Sequence, residues 1–225
     1  MKFGVIRFPG SCDEVDALLA CRRFAEAELL WHGDKDLRGA DAIVVPGGFS
    51  YGDYLRVGAI ARFSPVMEAV REFALDGGPV FGICNGFQVL CEAGLLPGAL
   101  LPNTSLRFVC RQVDLVVENA NTPFTRACDQ GDILSVPVKH TTGRYYAPES
   151  ALDELEANGQ VLLRYAEGMN PNGSARDIAG VANSAKNVFG LMPHPEHAVD
   201  PLTGSADGGM LFKSLVAHVE ALTPA

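Results

Sequence analysis

The sequence predicts an α/β fold, a doubly wound and mostly parallel sheet with an antiparallel extension. Three observations lead there. In the first half, short apolar runs alternate with stretches of helical periodicity, the pattern of strands buried on both faces by crossover helices. After Leu101 the strand-like runs lengthen and turn-rich links separate them, as in antiparallel pairing. Val188 to Met192 then returns to the buried-strand pattern. No linker, repeat or low-complexity tract interrupts the 225 residues, a length that one domain (1–225) accommodates.

Taken in order, Phe3 to Phe8 reads as a buried strand. Ser11 and Glu14 have the spacing of a capping box, and the helix they would open places Ala17, Leu18, Cys21, Phe24 and Ala25 on one face. Leu29 to Trp31 and Ala42 to Val45 are the next strands, the latter ending abruptly in Pro46-Gly47-Gly48. Phe49 to Phe63 is a loop. Ser64 and Pro65 suit the N-cap and first position of a helix with an apolar stripe of Val66, Ala69, Val70, Phe73 and Ala74, stopped by Gly77-Gly78. Pro79 to Ile83 is a strand running into Cys84. Strand-like runs follow at Phe108 to Val117, Ile133 to His140 and Val161 to Tyr165, with Asn170-Pro171-Asn172-Gly173 as a turn. Leu211, Leu215, Val219 and Leu222 line the apolar face of a closing helix.

Composition narrows the function. With 48% hydrophobic and 20% charged residues the chain has material for a core, and a formal charge of -9 disfavours general binding to nucleic acid or anionic membrane. Met1 to Phe8 has no signal-peptide pattern and no apolar run is long enough to span a bilayer, so the expected location is the cytoplasm. The six cysteines show neither a CxxC pair nor a disulfide framework. A free cysteine is ordinarily a small core residue. Only the surroundings of Cys84 point elsewhere.

Cys84 sits in Gly82-Ile83-Cys84-Asn85-Gly86, where a strand meets a helix. Glycines two residues to either side permit the cramped turn of a nucleophile elbow, and the helix N-terminus favours a thiolate. His194-Pro195-Glu196 supplies a base and a carboxylate to orient it, since residues two apart in an extended segment project to one side. Both segments follow strand-like runs and so reach the same kind of sheet edge. Gly47, Gly48 and Phe49, also at a strand end, offer backbone to a bound substrate. The N–H groups of Gly48 and Asn85 are the expected oxyanion hole, and Gln88, just inside the helix, is a candidate substrate contact. His194, Glu196 and His197 lack the spacing of a helical metal site, so no metal is expected.

The combination of Pro46-Gly47-Gly48-Phe49-Ser50-Tyr51-Gly52-Asp53-Tyr54, Gly82-Ile83-Cys84-Asn85-Gly86-Phe87-Gln88, Asn103-x-Ser105-x-Arg107-Phe108, Asn170-Pro171-Asn172-Gly173-Ser174 and Met192-Pro193-His194-Pro195-Glu196 resembles the triad class of glutamine amidotransferases. It is most similar to the branch that serves phosphoribosylformylglycinamidine synthase in purine biosynthesis, and the resemblance runs along essentially the whole chain. It implies a flavodoxin-like sheet and hydrolysis of glutamine to glutamate and ammonia through Cys84, His194 and Glu196 by way of a glutamyl thioester. It further implies a large synthetase subunit, with a small third subunit, that uses the ammonia with ATP and Mg. No cofactor is expected in this chain, which has no Gly-x-x-x-x-Gly-Lys-Ser/Thr phosphate loop. Two segments depart from the family pattern: His140-Thr141-Thr142-Gly143-Arg144-Tyr145 stands where His-Gly-Glu-Gly is usual, and His197 where Arg commonly follows the glutamate. The loop Phe49 to Arg62 and the rim near His140 to Tyr146 are expected to respond to partner docking. From the residues alone, a cysteine hydrolase acting on peptides or esters, or a binding module on the same fold, stays open.

Overall fold

The computed structural model describes residues 1–222. Its elements run β1 (Lys2–Arg7), α1 (Glu14–Arg22), β2 (Glu26–Trp31), β3 (Ala42–Val45), α2 (Pro65–Leu75), β4 (Val80–Ile83), α3 (Asn85–Glu92), β5 (Ala99–Leu101), β6 (Val109–Val117), β7 (Ile133–His140), β8 (Arg144–Tyr146), α4 (Glu149–Ala157), β9 (Val161–Tyr165), β10 (Ile178–Ala182), β11 (Val188–Leu191) and α5 (Gly209–Leu222). Short turns of 3₁₀ helix punctuate the loops.

Nine strands form one sheet in the order β2-β1-β3-β4-β11-β10-β9-β6-β7, while β5 and β8 pair separately. From β2 to β11 the neighbours are parallel; β10, β9, β6 and β7 add on antiparallel. This is the expected α/β sheet with its extension. The apolar runs of β3, β4 and β11 are buried throughout, as strands covered on both faces must be. On one face Phe81 of β4 stacks on Phe189 of β11, with ring centroids 5.3 Å apart, and Phe212 of α5 packs 6.1 Å from Phe81. On the other face Gly82 and Gly190 leave room for α3: a Cβ on Gly82 would fall 2.5 Å from Leu90 Cδ1.

Several local expectations are corrected. Ser11 does not cap α1; its Oγ accepts a hydrogen bond from the Phe8 N–H, Asp13 takes the cap position, and Glu14 pairs with Arg7 at 3.2 Å. Ser64 and Pro65 do take the N-cap and first positions of α2, though the Ser64 Oγ is bonded to Tyr51 Oη at 2.8 Å and makes no capping hydrogen bond. Phe24 and Ala25 lie beyond the end of α1, and Leu222 is exposed rather than part of the apolar face of α5. No helix among the described residues is long and apolar enough to cross a membrane.

Candidate active site

Adjacent strands bring the chemistry together. The chain leaves the C-terminal ends of β1, β3, β4 and β11 at one edge of the parallel block, where open α/β sheets hold ligands. After β1 comes the turn with Asp13, after β3 the Gly47-Gly48 loop, after β4 Cys84, and after β11 His194. The end of β7 reaches the same place, its Pro137 carbonyl accepting from the His194 N–H at 2.8 Å.

Cys84 caps α3 with φ 49 and ψ -103, a conformation that non-glycine residues adopt only at a cost of roughly 1–3 kcal/mol. The elbow glycines make this turn possible: a Cβ on Gly86 would lie against the Val45 carbonyl of β3. Cys84 is 6% exposed, yet it lines a cavity of about 70 Å³ together with Gly48, Phe49, Asp53, Gln88 and His194. Cys84 and His194 therefore share one pocket.

His194, 1% exposed, sets Nδ1 at 2.6 Å from Glu196 Oε1. The pairing differs in form from the extended segment expected, because Pro195–His197 makes a 3₁₀ turn that folds the carboxylate back onto the ring. Nε2 has no formed hydrogen bond among the described residues, while Cys84 is close enough to act on the ring. Burial opposes a charge on this imidazole, but Glu196 and Cys84 outweigh it and raise its pKa to about 10.

Gly48 has φ 139, and a Cβ there would come within 2.5 Å of the Cys12 nitrogen. Among the described residues neither the Gly48 nor the Asn85 N–H has a protein acceptor. Other sequence-selected residues hold the frame. Gly47 lies outside the cavity wall, its carbonyl taking the N–H groups of Cys12 and Asp13 at 3.3 Å each, and the Phe49 N–H donates to the Gly10 carbonyl at 2.9 Å. The Asn85 side chain accepts from the Ser50 N–H at 3.1 Å and donates to Gln88 Oε1 at 3.0 Å, and Gln88 Nε2 donates to the Thr142 carbonyl.

The structure adds residues to which the motifs gave no role. Asp13 is buried beside His194 and Glu196, with Oδ1 accepting from Lys139 Nζ and 3.4 Å from His197 Nε2, and Oδ2 3.8 Å from His194 Nδ1. Asp13, His194, Glu196 and His197 bring donor atoms within 4.8 Å of one another, and the Lys139 ammonium sits against the Asp13 side of that cluster. His140 is buried with Nδ1 3.1 Å from Asn103 Oδ1; burial and the nearby His194 lower its pKa to about 4, so it is neutral near pH 7. These residues come from separate segments, and only His140 and His197 stand out along the chain, as departures from the family pattern.

Comparison with known proteins shows the family. Residues 1–210 match the model of the CobB/CobQ-like glutamine amidotransferase domain. Phosphoribosylformylglycinamidine synthase subunit PurQ of Salinibacter ruber is 57% identical over 97% of each chain. The chain belongs to the glutamine amidotransferase family, in its PurQ branch. The Rubrobacter xylanophilus PurQ subunit is 59% identical, over 96% of this chain and 98% of that one. Among solved structures, PurLQS from Thermotoga maritima superimposes with TM-score 0.89 at 43% identity, covering 97% of this amidotransferase chain and 98% of its counterpart. Another glutamine amidotransferase of Thermotoga maritima shares the fold at TM-score 0.62 with 15% identity, over 97% of each chain.

Proposed function

We propose that this chain is the glutaminase of a phosphoribosylformylglycinamidine synthase and that Cys84, His194 and Glu196 perform the hydrolysis. The observation that carries the reading is a strained cysteine at a strand-to-helix elbow sharing one cavity with a buried, carboxylate-bound histidine. The family membership supplies the substrate, glutamine, and the synthase that consumes the ammonia.

In this mechanism Cys84 Sγ attacks the side-chain carbonyl carbon of glutamine after giving its proton to His194. The carbonyl oxygen becomes an oxyanion held by the N–H groups of Gly48 and Asn85. Collapse breaks the C–N bond, and His194 returns the proton to the departing ammonia. A glutamyl thioester remains. Water, deprotonated by His194, attacks it and releases glutamate with the thiol restored. Glu196 fixes the tautomer and orientation of the ring and stabilises its charge. Conversion of an amide to an amidine needs activation, and that ATP- and Mg-dependent step falls to the large partner subunit, assembled with a small third subunit.

The test is Cys84→Ala in the reconstituted synthase. Glutamine-driven synthesis is expected to disappear while synthesis from added ammonium persists; retention of both would overturn the assignment. A peptide or ester substrate is disfavoured by the family.

A further inference from the structure

Asp53 stands out among the groups facing the cavity. It lies on the tight 3₁₀ turn Ser50–Asp53, in which Tyr51 (φ 55) and Asp53 (φ 57) both take the left-handed conformation that non-glycine side chains rarely adopt. This turn is held from three sides. Tyr51 Oη reaches His32 Nδ1 and Ser64 Oγ at 2.8 Å each, the Tyr51 N–H donates to the Pro9 carbonyl at 2.6 Å, and the Ser50 N–H donates to the Asn85 side chain at 3.1 Å. The turn fixes Asp53 against the same cavity as Cys84 and His194.

Its carboxyl is unmatched. Oδ1 is buried without a hydrogen-bond partner, and among the described residues no cation lies within ion-pair distance of the side chain. Asp13, the other carboxylate on the cavity wall, is already engaged by Lys139 and His197. Burial pushes the Asp53 pKa up to about 6. The neighbouring His140 is neutral and does not supply a counter-charge. Glutamine, bound with its amide over Cys84, brings into this cavity a single positive charge, the α-ammonium.

We infer that Asp53 is a specificity-determining residue whose carboxylate receives the α-ammonium group of the glutamine substrate. The inference rests on the glutaminase reading above and deepens it. It explains why a polar side chain is held on strained backbone at the cavity wall, since preorganisation of the carboxylate removes an ordering cost from binding. It also gives the site a means of rejecting amides that lack an amino group, because those leave the buried charge unpaired.

The experiment uses the reconstituted synthase with glutamine and with glutaramate, which is glutamine without its α-amino group. Asp53→Asn keeps the shape and removes the charge. Its KM for glutamine is expected to rise about 30-fold or more, the effect of breaking a desolvated charge pair, with a smaller change in kcat. Ammonium-driven synthesis should be unchanged, and co-elution of the variant with its partner subunits at an unaltered Tm reports that it folds and assembles. The wild-type preference for glutamine over glutaramate should collapse in the variant. An unaltered preference, or a loss confined to kcat, overturns the proposal. Should Asp53→Asn fail to assemble, Asp53→Ser is measured in its place: a retained preference for glutamine refutes the role, and a collapsed preference upholds it. Failure of the glutaminase reading shows separately, as glutamine-driven synthesis that survives Cys84→Ala.

Discussion

At the residue scale, Asp13 is the side chain on which the surroundings of the triad converge. Burial opposes its charge, but the hydrogen bond from His197, the charge on His194 and the Lys139 ammonium hold it well below the usual carboxylate range. Removing it takes from the half-buried Lys139 its ion-pair partner and leaves Glu196 as the remaining carboxylate acting on it. Asp13→Ala is therefore expected to lower stability by about 3 kcal/mol, the usual penalty for breaking a buried pair, as measured by urea unfolding at neutral pH. Because the folded pKa lies below the unfolded value of about 3.9, this contribution is complete above that pH and drains away as pH falls toward the folded pKa. The unfolding curves of wild type and variant should converge in acid; a gap that stays constant down to pH 3 would count against the charge-pair account. Cys84, His194 and Glu196 are legible as candidates because each sits in a short pattern with a mechanical reason. The placements of Asp13, Asp53 and Lys139 are not, since they arise from contacts between segments as far as 184 residues apart.

At the element scale, the turn from β4 into α3 depends on how closely α3 approaches β3. A methyl group on Gly86 would be driven into the Val45 carbonyl oxygen, which is backbone and cannot rotate aside. Gly86→Ala is accordingly expected to destabilise the chain by at least about 3 kcal/mol, as severe overpacking does, and to show as a lowered Tm with loss of glutaminase activity. A variant with wild-type Tm would mean that α3 can shift freely. The strands with long apolar runs are readable along the chain, and so is the elbow. Helix α4 is hidden because only Leu152 and Leu155 of its nine residues are buried, too faint a stripe to announce a period. Strand β10, Ile-Ala-Gly-Val-Ala, is buried throughout but is built largely from small residues without strand preference. The capping box at Ser11 fails for a local reason: the Phe8 N–H takes its hydroxyl.

At the scale of the whole molecule, the loop that continues from the Ser50–Asp53 turn exposes large apolar side chains. Tyr54 is 74% and Leu55 93% exposed, on the loop that continues from the Ser50–Asp53 turn, and Phe63 is also exposed at its far end. That loop meets the active site on two sides, through Ser50 on Asn85 and through Asp53 and Val57 in the cavity wall, while Thr142 on the opposite rim holds Gln88. A partner that covers Tyr54 and Leu55 thus presses on the elements that carry Asp53 and the proposed oxyanion donor Asn85. We propose that docking of the synthase subunit tightens this loop and couples glutamine hydrolysis to ammonia use. The isolated chain should hydrolyse glutamine about 5- to 150-fold more slowly than the assembled complex, the span of ordinary coupling energies. Replacing Tyr54 and Leu55 by serine should then erode the acceleration on assembly while leaving the slow rate of the isolated chain in place, because neither side chain lines the cavity. Steady-state glutamate release, measured with and without saturating partner, decides between outcomes: equal rates in the two states would show that the loop is already in its working position before docking.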